Sequence, residues 1–482
     1  MVVRRAALAI SLVGTLLIST PVGALSAASD PPSAACVPRT SPVPTAPARL
    51  IQDSLVAGHG SRLHDITLRS PALDGQVHVY VLLPPHYAAS HRRYHVLYLL
   101  HGSGGSAADW TTNGAERLID RAAPGAHLPP MITVMPDGGV EGFYTDWYGT
   151  DIDQPAEQVA PGWATFDLHE LVPFVDRHYR TRAGRAGRAI AGLSMGGFGA
   201  TSLAARAPGT FAAVGSFSGA DDIDDYYPIQ NGVLAGTSPA FTDEAPDLCI
   251  WGDPTTHRIG WEAADPTYLA ADLSHHRLFI ATGNGRPGKF DSTAPQYAAE
   301  TAAAGAVEQG IHQMNQDFVR ALDAARVPHI DDFYGNGTHS WPYWRRDLTR
   351  FIPILARAWR HPDAVPTRFS DRSASTSFRA WGWHFTAHRA VAEFTYLRHV
   401  SAHGLEVSGS GTLHVVTAAD YAPDSSWLVD GQRIVAGGDG KLRFTITMPS
   451  HATEQVSFPA GAALPPGWHW RHVGIQAATP NR

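Results

Sequence analysis

Apolar positions along the chain fall into two textures. From about Asp65 to Trp359, short apolar runs alternate with stretches of helical period. "VHVYVLL" alternates faces, whereas "HVLYLLHG" and "PMITVMPDGG" are nearly unbroken apolar runs, the signature of strands buried on both sides. "TFDLHELVPFVDRHY" spaces Phe166, Leu168, Leu171, Val172 and Val175 as one helical face. Strands then follow at "RAIAGLS", "AAVGSFSG", "RLFIATGNG" and "HIDDFYGNG". Helices lie between and after them at "GFGATSLAARA", from about Ala303 to Ala325, and at "YWRRDLTRFIPILARAW". This alternation predicts an α/β fold whose mostly parallel central sheet is covered on both faces, with functional residues at the carboxyl ends of the strands.

Past His361 the helical period disappears. "HPDAVPTRFSDRSASTS" predicts a linker over residues 362–377, and residues 378–482 predict a small all-β, sandwich-like domain with strands at "FRAWGWHFT", "AVAEFTYLRHV", "GLEVSGSG", "TLHVVTA", "LRFTITM" and "EQVSFPA". At the other end, Arg4-Arg5 precede a short apolar stretch and small residues, predicting a signal peptide over 1–28 cleaved around Ala24 to Ala28. A Pro/Ala-rich leader then fills 29–60, and the catalytic domain occupies 61–361. Ser11, Gly14, Thr15, Ser19, Thr20 and Pro21 dilute the apolar stretch below what a membrane anchor needs, so no transmembrane span remains once the signal is removed.

Composition changes this picture in two respects. With 44% hydrophobic and 17% charged residues the chain is globular, and a net charge of −7 without a long basic run argues against nucleic acid as a partner. Cys36 and Cys249 are the two cysteines; in an exported protein they either pair as one disulfide, tying the N-terminal tail to the core, or stay free.

The candidate chemistry centres on Gly192-Leu193-Ser194-Met195-Gly196, a G-x-S-x-G nucleophile elbow between an apolar strand and an Ala-rich helix. Serine needs a base, and the order Ser…Asp/Glu…His in such folds selects His339, in the glycine-rich loop after the last strand. The acid is expected to be Asp291, in the loop after "LFIATGNG", with Glu308 as the alternative, disfavoured because it falls within a helix. The oxyanion hole is expected from the backbone N–H of Met195 and that of Ser103, with Gly102 as the alternative, in "HGSGG". His101, Gly102, Trp147 and Trp341 are candidate substrate-binding residues, and Tyr148 and Trp344 further candidates for a channel wall. His275-His276 and the His469–His472 stretch lack an i, i+4 pair with a nearby carboxylate, so neither a metal nor another cofactor is expected.

"GGVEGFYTDWYGTD", "GLSMGG", "GNGRPG" and "GTHSWPYW" together resemble the antigen 85 mycolyltransferases, in the esterase D-like branch of the α/β hydrolases. The resemblance implies an α/β-hydrolase fold, a Ser–Glu/Asp–His triad and action in the cell envelope. It further implies acyl transfer between trehalose esters and onto arabinogalactan, with some members acylating diacylglycerol. Motif by motif it carries over Ser194 as nucleophile, His339 as base and the Met195 and Ser103 amides as oxyanion donors. The chain departs from the pattern twice. His101 stands where the family typically has an aspartate that meets trehalose, and Lys289 occupies the family's acidic column, two residues before Asp291.

The functional expectation is an exported serine acyltransferase of the cell envelope. It moves a mycolyl-like acyl chain from a trehalose ester-like lipid donor, through a Ser194 acyl-enzyme, to a sugar or glycerol hydroxyl. The alternatives are a secreted carboxylesterase and an inactive envelope-binding protein, the latter opposed by the presence of both Ser194 and His339. In the C-terminal part, Trp381, Trp383, Trp427, Trp468 and Trp470 either stack on cell-wall polysaccharide or form the core that so short a domain requires; its size favours core.

Overall fold

The computed structural model describes residues 36–151, 159–224, 247–451 and 468–478. The expected signal peptide, the first part of the leader and the "EQVSFPA" strand lie outside the described residues.

The unbroken apolar runs become the centre of a nine-stranded sheet. Its strands are β2 (Arg49–Leu55), β3 (Leu63–Ser70), β4 (Gly75–Leu82), β5 (His95–Leu100), β6 (Met131–Pro136), β8 (Arg188–Leu193), β9 (Ala213–Phe217), β10 (Arg277–Thr282) and β11 (His329–Phe333), in the order β11-β10-β9-β8-β5-β6-β4-β3-β2. From β6 to β11 the pairing is parallel, and β4, β3 and β2 extend it antiparallel. Two short strands, β1 (Cys36–Pro38) and β7 (Gly149–Asp151), pair separately. Chain alternation explains why the central runs are continuous. In β5, Val96, Tyr98 and Leu100 enter the apolar layer on one face, while Leu97 and Leu99 enter the layer on the other. The first layer is closed by helices Met195–Arg206 and Ala298–Ala324, the second by helices Ala115–Ala126 and Trp341–Arg360. The observed fold is an α/β hydrolase.

Two expected boundaries shift. The leader over 29–60 contains β2, whose residues are mostly exposed, so no apolar alternation marks it as the edge strand it is. The linker over 362–377 contains a strand, Arg368–Ser373, that belongs to the C-terminal sheets. Among the described residues, ten strands between Arg368 and Ala477 form two antiparallel sheets of six and four. "FRAWGWHFT" is not one strand but a hairpin turning at Trp381-Gly382, where both residues have positive φ. Trp381 and Trp383 lie in the core of this all-β part, and Trp427 packs against it. The Arg398 guanidinium covers the ring of Trp470, and Trp468 is buried against His451 and Tyr396, so none of the five forms a bare stacking platform.

The all-β part is pinned to the α/β layer by a buried ion pair, Arg372 Nε to Asp272 Oδ2 at 3.2 Å, with the guanidinium stacked over Tyr268. Cys36 and Cys249 are disulfide-bonded, joining β1 to the short helix Asp247–Trp251 across 213 residues of sequence. A closed loop that long removes roughly 5 kcal/mol of unfolded-chain entropy in the loop-closure model. Among the described residues no helix is long and apolar enough to cross a membrane.

His95, at the start of β5, is buried and stacks on Trp359 at 4.6 Å between ring centroids. Burial first, and the Arg182 charge second, push its pKa from 6.5 down to about 4. The folded chain therefore holds fewer protons here than the unfolded chain between those values. The stabilisation is complete above pH 6.5 and is lost as the pH falls toward 4, by about 3 kcal/mol at most. In His95→Phe, which keeps the stack without the titration, thermal stability should fall less steeply between pH 7 and pH 4.5 than in the wild type. Parallel melting-temperature profiles would contradict this assignment.

Candidate active site

Ser194 sits at the sharp turn from β8 into helix Met195–Arg206, with φ 53° and ψ −122°. Its flanking glycines follow from close backbone approaches. A Cβ on Gly192 would strike the Gly196 carbonyl, and one on Gly196 would lie 2.5 Å from the His101 carbonyl oxygen and 2.6 Å from that of Leu100. The turn is held by Ser194 N–H donating to the Phe217 carbonyl at 3.0 Å, and by Gly197 and Phe198 N–H donating to the Ser194 carbonyl.

The Ser194 hydroxyl donates to His339 Nε2 at 2.8 Å, and His339 Nδ1–H donates to Glu308 Oε2 at 2.7 Å. Glu308 is fully buried, and its other oxygen accepts from Ser218 Oγ (2.8 Å), Thr282 Oγ1 (3.0 Å) and Gly283 N–H (2.7 Å). These donors replace the hydrogen bonds to water that a buried carboxylate loses. In the sequence, Ser218, Thr282 and Gly283 carry no signal beyond the pair of turns, "SFSG" and "ATGNG", at the ends of β9 and β10.

Asp291, expected as the acid, does not reach His339. Its carboxylate accepts from Gly288 N–H and Tyr343 Oη, each at 2.7 Å, and from Thr338 Oγ1. Burial and then the bond to Asp291 push the Tyr343 hydroxyl up to about 12, so it remains a donor. Asp291 thus fastens its loop to the residue preceding His339. Glu308 prevails because the helix carrying it is drawn against the strand ends. Gly305 packs on the Gly285 carbonyl with no room for a Cβ, and His339 N–H donates to the Ala304 carbonyl at 3.1 Å. One turn further along, Glu308 faces the imidazole.

The expected oxyanion donors flank Ser194. Among the described residues the Met195 and Ser103 amides have no acceptor, and both residues line the cleft over the serine. Gly102 lines it too, with its α-carbon so close to Ser194 that a Cβ would lie 3.2 Å from the serine Cβ. Trp341 and Trp344 form one wall, and Trp344 meets the His339 ring edge-on at 4.9 Å. The opposite wall, which the sequence had not revealed, is a stripe of helix Ala298–Ala324: Ala306, Val307, Gly310, Ile311 and Met314. Together they enclose about 440 Å³.

One expected substrate-binding residue, Trp147, and one channel-wall candidate, Tyr148, do not line the cleft. Trp147 is buried in the core, its indole N–H donating to the Gly142 carbonyl at 3.1 Å. The Tyr148 ring lies tilted against that of His257, 4.6 Å between centroids. His101 is only 1% exposed, and both ring nitrogens are used. Gly138 N–H donates to Nε2 at 2.9 Å, which leaves the proton on Nδ1 to donate to the Gly102 carbonyl at 2.8 Å. Among the described residues no cluster of His, Cys, Asp or Glu is arranged to hold a metal ion.

Sheet order, strand-end loops and the serine turn define the class, an α/β hydrolase. A family model described as "Putative esterase" matches residues 70–355, well over half of the chain, and the chain belongs to that family. Over 224 residues it is 41% identical to "Esterase Rv1288" of Mycobacterium tuberculosis, covering 46% of each, so the chain spans about half the length of that relative. It is 30% identical over 275 residues to the diacylglycerol acyltransferase/mycolyltransferase Ag85B of Mycolicibacterium smegmatis, covering 55% of this chain and 77% of that one. The chain therefore lies in the antigen 85-type branch. Among solved structures, Mycobacterium tuberculosis MPT51 (FbpC1) is 23% identical, with 62% of this chain and 100% of that one covered at a TM-score of 0.48.

The two carboxylates can be told apart by substitution. If Glu308 is the residue that orients the imidazole, Glu308→Gln should lower kcat toward a short-chain ester on the order of 10³-fold or more. Asp291→Asn should cost less than about tenfold, with a lower melting temperature. The reverse ranking in steady-state kinetics would return the acid role to Asp291.

Proposed function

We propose that this protein cleaves acyl esters through a covalent Ser194 acyl-enzyme, with His339 as general base and then acid and Glu308 as its orienting carboxylate. The observation that carries the reading is the Ser194–His339–Glu308 relay at the floor of an apolar cleft. His339 takes the serine proton as Oγ attacks the ester carbonyl, the Met195 and Ser103 amides hold the oxyanion, and His339 returns the proton to the departing alcohol. The acyl chain lies along the helix stripe from Ala306 to Met314. Water then attacks the acyl carbon, and carboxylic acid leaves.

His101 serves this cycle as a positioning residue. Its Nδ1–H and the Gly105 N–H both hold the Gly102 carbonyl, at 2.8 and 3.1 Å. In a trans peptide the Ser103 N–H points opposite to that carbonyl, hence toward the cleft. Such a buried histidine is not available to meet a sugar, which favours hydrolysis over trehalose-directed transfer, as does the 41% identity to a protein named an esterase.

Transfer to a sugar or glycerol hydroxyl is the second reading, favoured by the 77% coverage of an Ag85B protein. In that reading the donor is a trehalose ester-like lipid. Export to the cell envelope is part of the proposal, supported by the Cys36–Cys249 disulfide, a bond of oxidising compartments. Contact of the all-β part with cell-wall polysaccharide remains a proposal, without support from its covered tryptophans.

Two experiments test this. Purified protein is incubated with a trehalose monoester, with and without added sugar or glycerol, beside Ser194→Ala, and products are read by mass spectrometry. Free fatty acid as the dominant Ser194-dependent product is expected; diester or acylated acceptor in its place would establish transfer, and turnover by Ser194→Ala would overturn the mechanism. For the positioning role, His101→Ala should lower kcat up to about 100-fold with KM little changed, and His101→Asn, whose amide can donate, should recover part of it. A rise in KM alone would instead make His101 a substrate contact.

A further inference from the structure

A second groove, of about 870 Å³, opens beside the cleft between helices Ala115–Ala126 and Trp341–Arg360. The two are neighbours in sequence as well as in space: Trp341 lines the cleft and Pro342 lines the groove. Its floor is apolar, from Leu118, Ala122 and Pro342, and its rim is cationic. Arg117 and Arg121, one turn apart on the first helix, face Arg345 on the second, and all three are exposed.

Like charges at i, i+4 cost helix stability, so such a cluster normally carries acidic partners. The nearby carboxylates are engaged elsewhere. Glu116 and Asp120 are held by Arg62, at 3.1 and 2.8 Å. Asp332 and Asp347 are held by Arg346, at 2.9 and 2.6 Å, and Asp291 is held by its own loop. Among the described residues none of Arg117, Arg121 and Arg345 has an ion-pair partner. At the rim Phe290 is 42% exposed, and the Lys289 ammonium lies 4.7 Å from its ring centroid. This positive surface stands out on a chain of net charge −7.

We propose that this groove docks the headgroups of anionic phospholipids and so seats the mouth of the cleft on a negatively charged lipid surface. Guanidinium forks match phosphate oxygens in pairs, and an exposed phenyl ring among cations partitions into the headgroup–acyl boundary. The charge complements a phosphodiester, and the position suits an enzyme whose apolar cleft must take an acyl chain out of a bilayer. The inference goes beyond the ester chemistry, and its binding test does not depend on that chemistry.

The full chain is sedimented with vesicles of phosphatidylglycerol and phosphatidylcholine, and with vesicles of phosphatidylcholine alone, at 0.1 and 0.5 M salt. Binding to the anionic vesicles is expected to be at least tenfold tighter and weaker at high salt. With about fivefold per arginine, the triple substitution Arg117→Gln, Arg121→Gln, Arg345→Gln should weaken it on the order of 100-fold. The corresponding triple glutamate protein, which reverses the charge, should bind more weakly still. Short-chain ester hydrolysis and melting temperature check that each variant is folded, and Ser194→Ala should bind as the wild type does. Equal binding to both vesicles, or full binding by the folded triple variants, would overturn the proposal. Saturable binding of inorganic phosphate without vesicle binding would also overturn it, in favour of a soluble anion. Vesicle binding by a protein that cleaves no ester would leave the docking surface standing and remove only the proposed reaction.

Discussion

The architecture turns on one backbone constraint, the positive φ of Ser194. For a residue with a side chain that conformation costs on the order of 1–3 kcal/mol and survives only where the surroundings over-determine it. Here β8, the helix that follows, the Gly102 loop and the Phe217 carbonyl all close on the serine, and glycine stands wherever a Cβ would push one of them away. The same turn lifts the hydroxyl above the sheet and starts a helix whose N-terminal dipole favours negative charge beside it. The remaining parts are arranged around that fixed oxygen: the imidazole from the loop after β11, the carboxylate from a helix, and one amide each from the start of helix Met195–Arg206 and the loop after β5.

Much of this was legible in the sequence where burial is symmetric. β5, β6, β8 and β10 are covered on both faces, so their apolar runs announce them, and the glycines around Ser194 announce the turn. Edge elements were not legible. Arg49–Leu55, Arg368–Ser373 and Gln432–Val435 end their sheets and are largely exposed or buried on one face only, and their sequences carry no clean alternation. The triad acid failed for a different reason. Chain order puts both Asp291 and Glu308 between the serine and the histidine, and the choice depends on how closely a helix approaches the strand ends. That approach is set by Gly305 against Gly285 and by one backbone bond from His339, contacts that no local pattern encodes. Trp147 and His101 were misplaced because an aromatic or imidazole beside a glycine loop serves equally well as packing, and here both are buried with their polar atoms satisfied.

Glu308 and Arg372 repeat one solution, a buried charge that meets several hydrogen-bond donors or a stacked partner. Glu308 has four donors, and Arg372 has Asp272 and Tyr268. The exposed arginines of the second groove break that habit. They place cations without an ion-pair partner among the described residues beside a cleft lined by apolar side chains, a combination that fits a lipid surface.

The most direct test of the central claim is to catch the acyl group on the protein. The full chain is mixed with an activated short-chain ester, quenched in acid within the first turnovers and digested, and the peptide containing Ser194 is weighed. The account predicts an added acyl mass on Ser194, absent in Ser194→Ala and formed far more slowly in Glu308→Gln. Turnover with no adduct on that peptide, or an adduct on another residue, would contradict it.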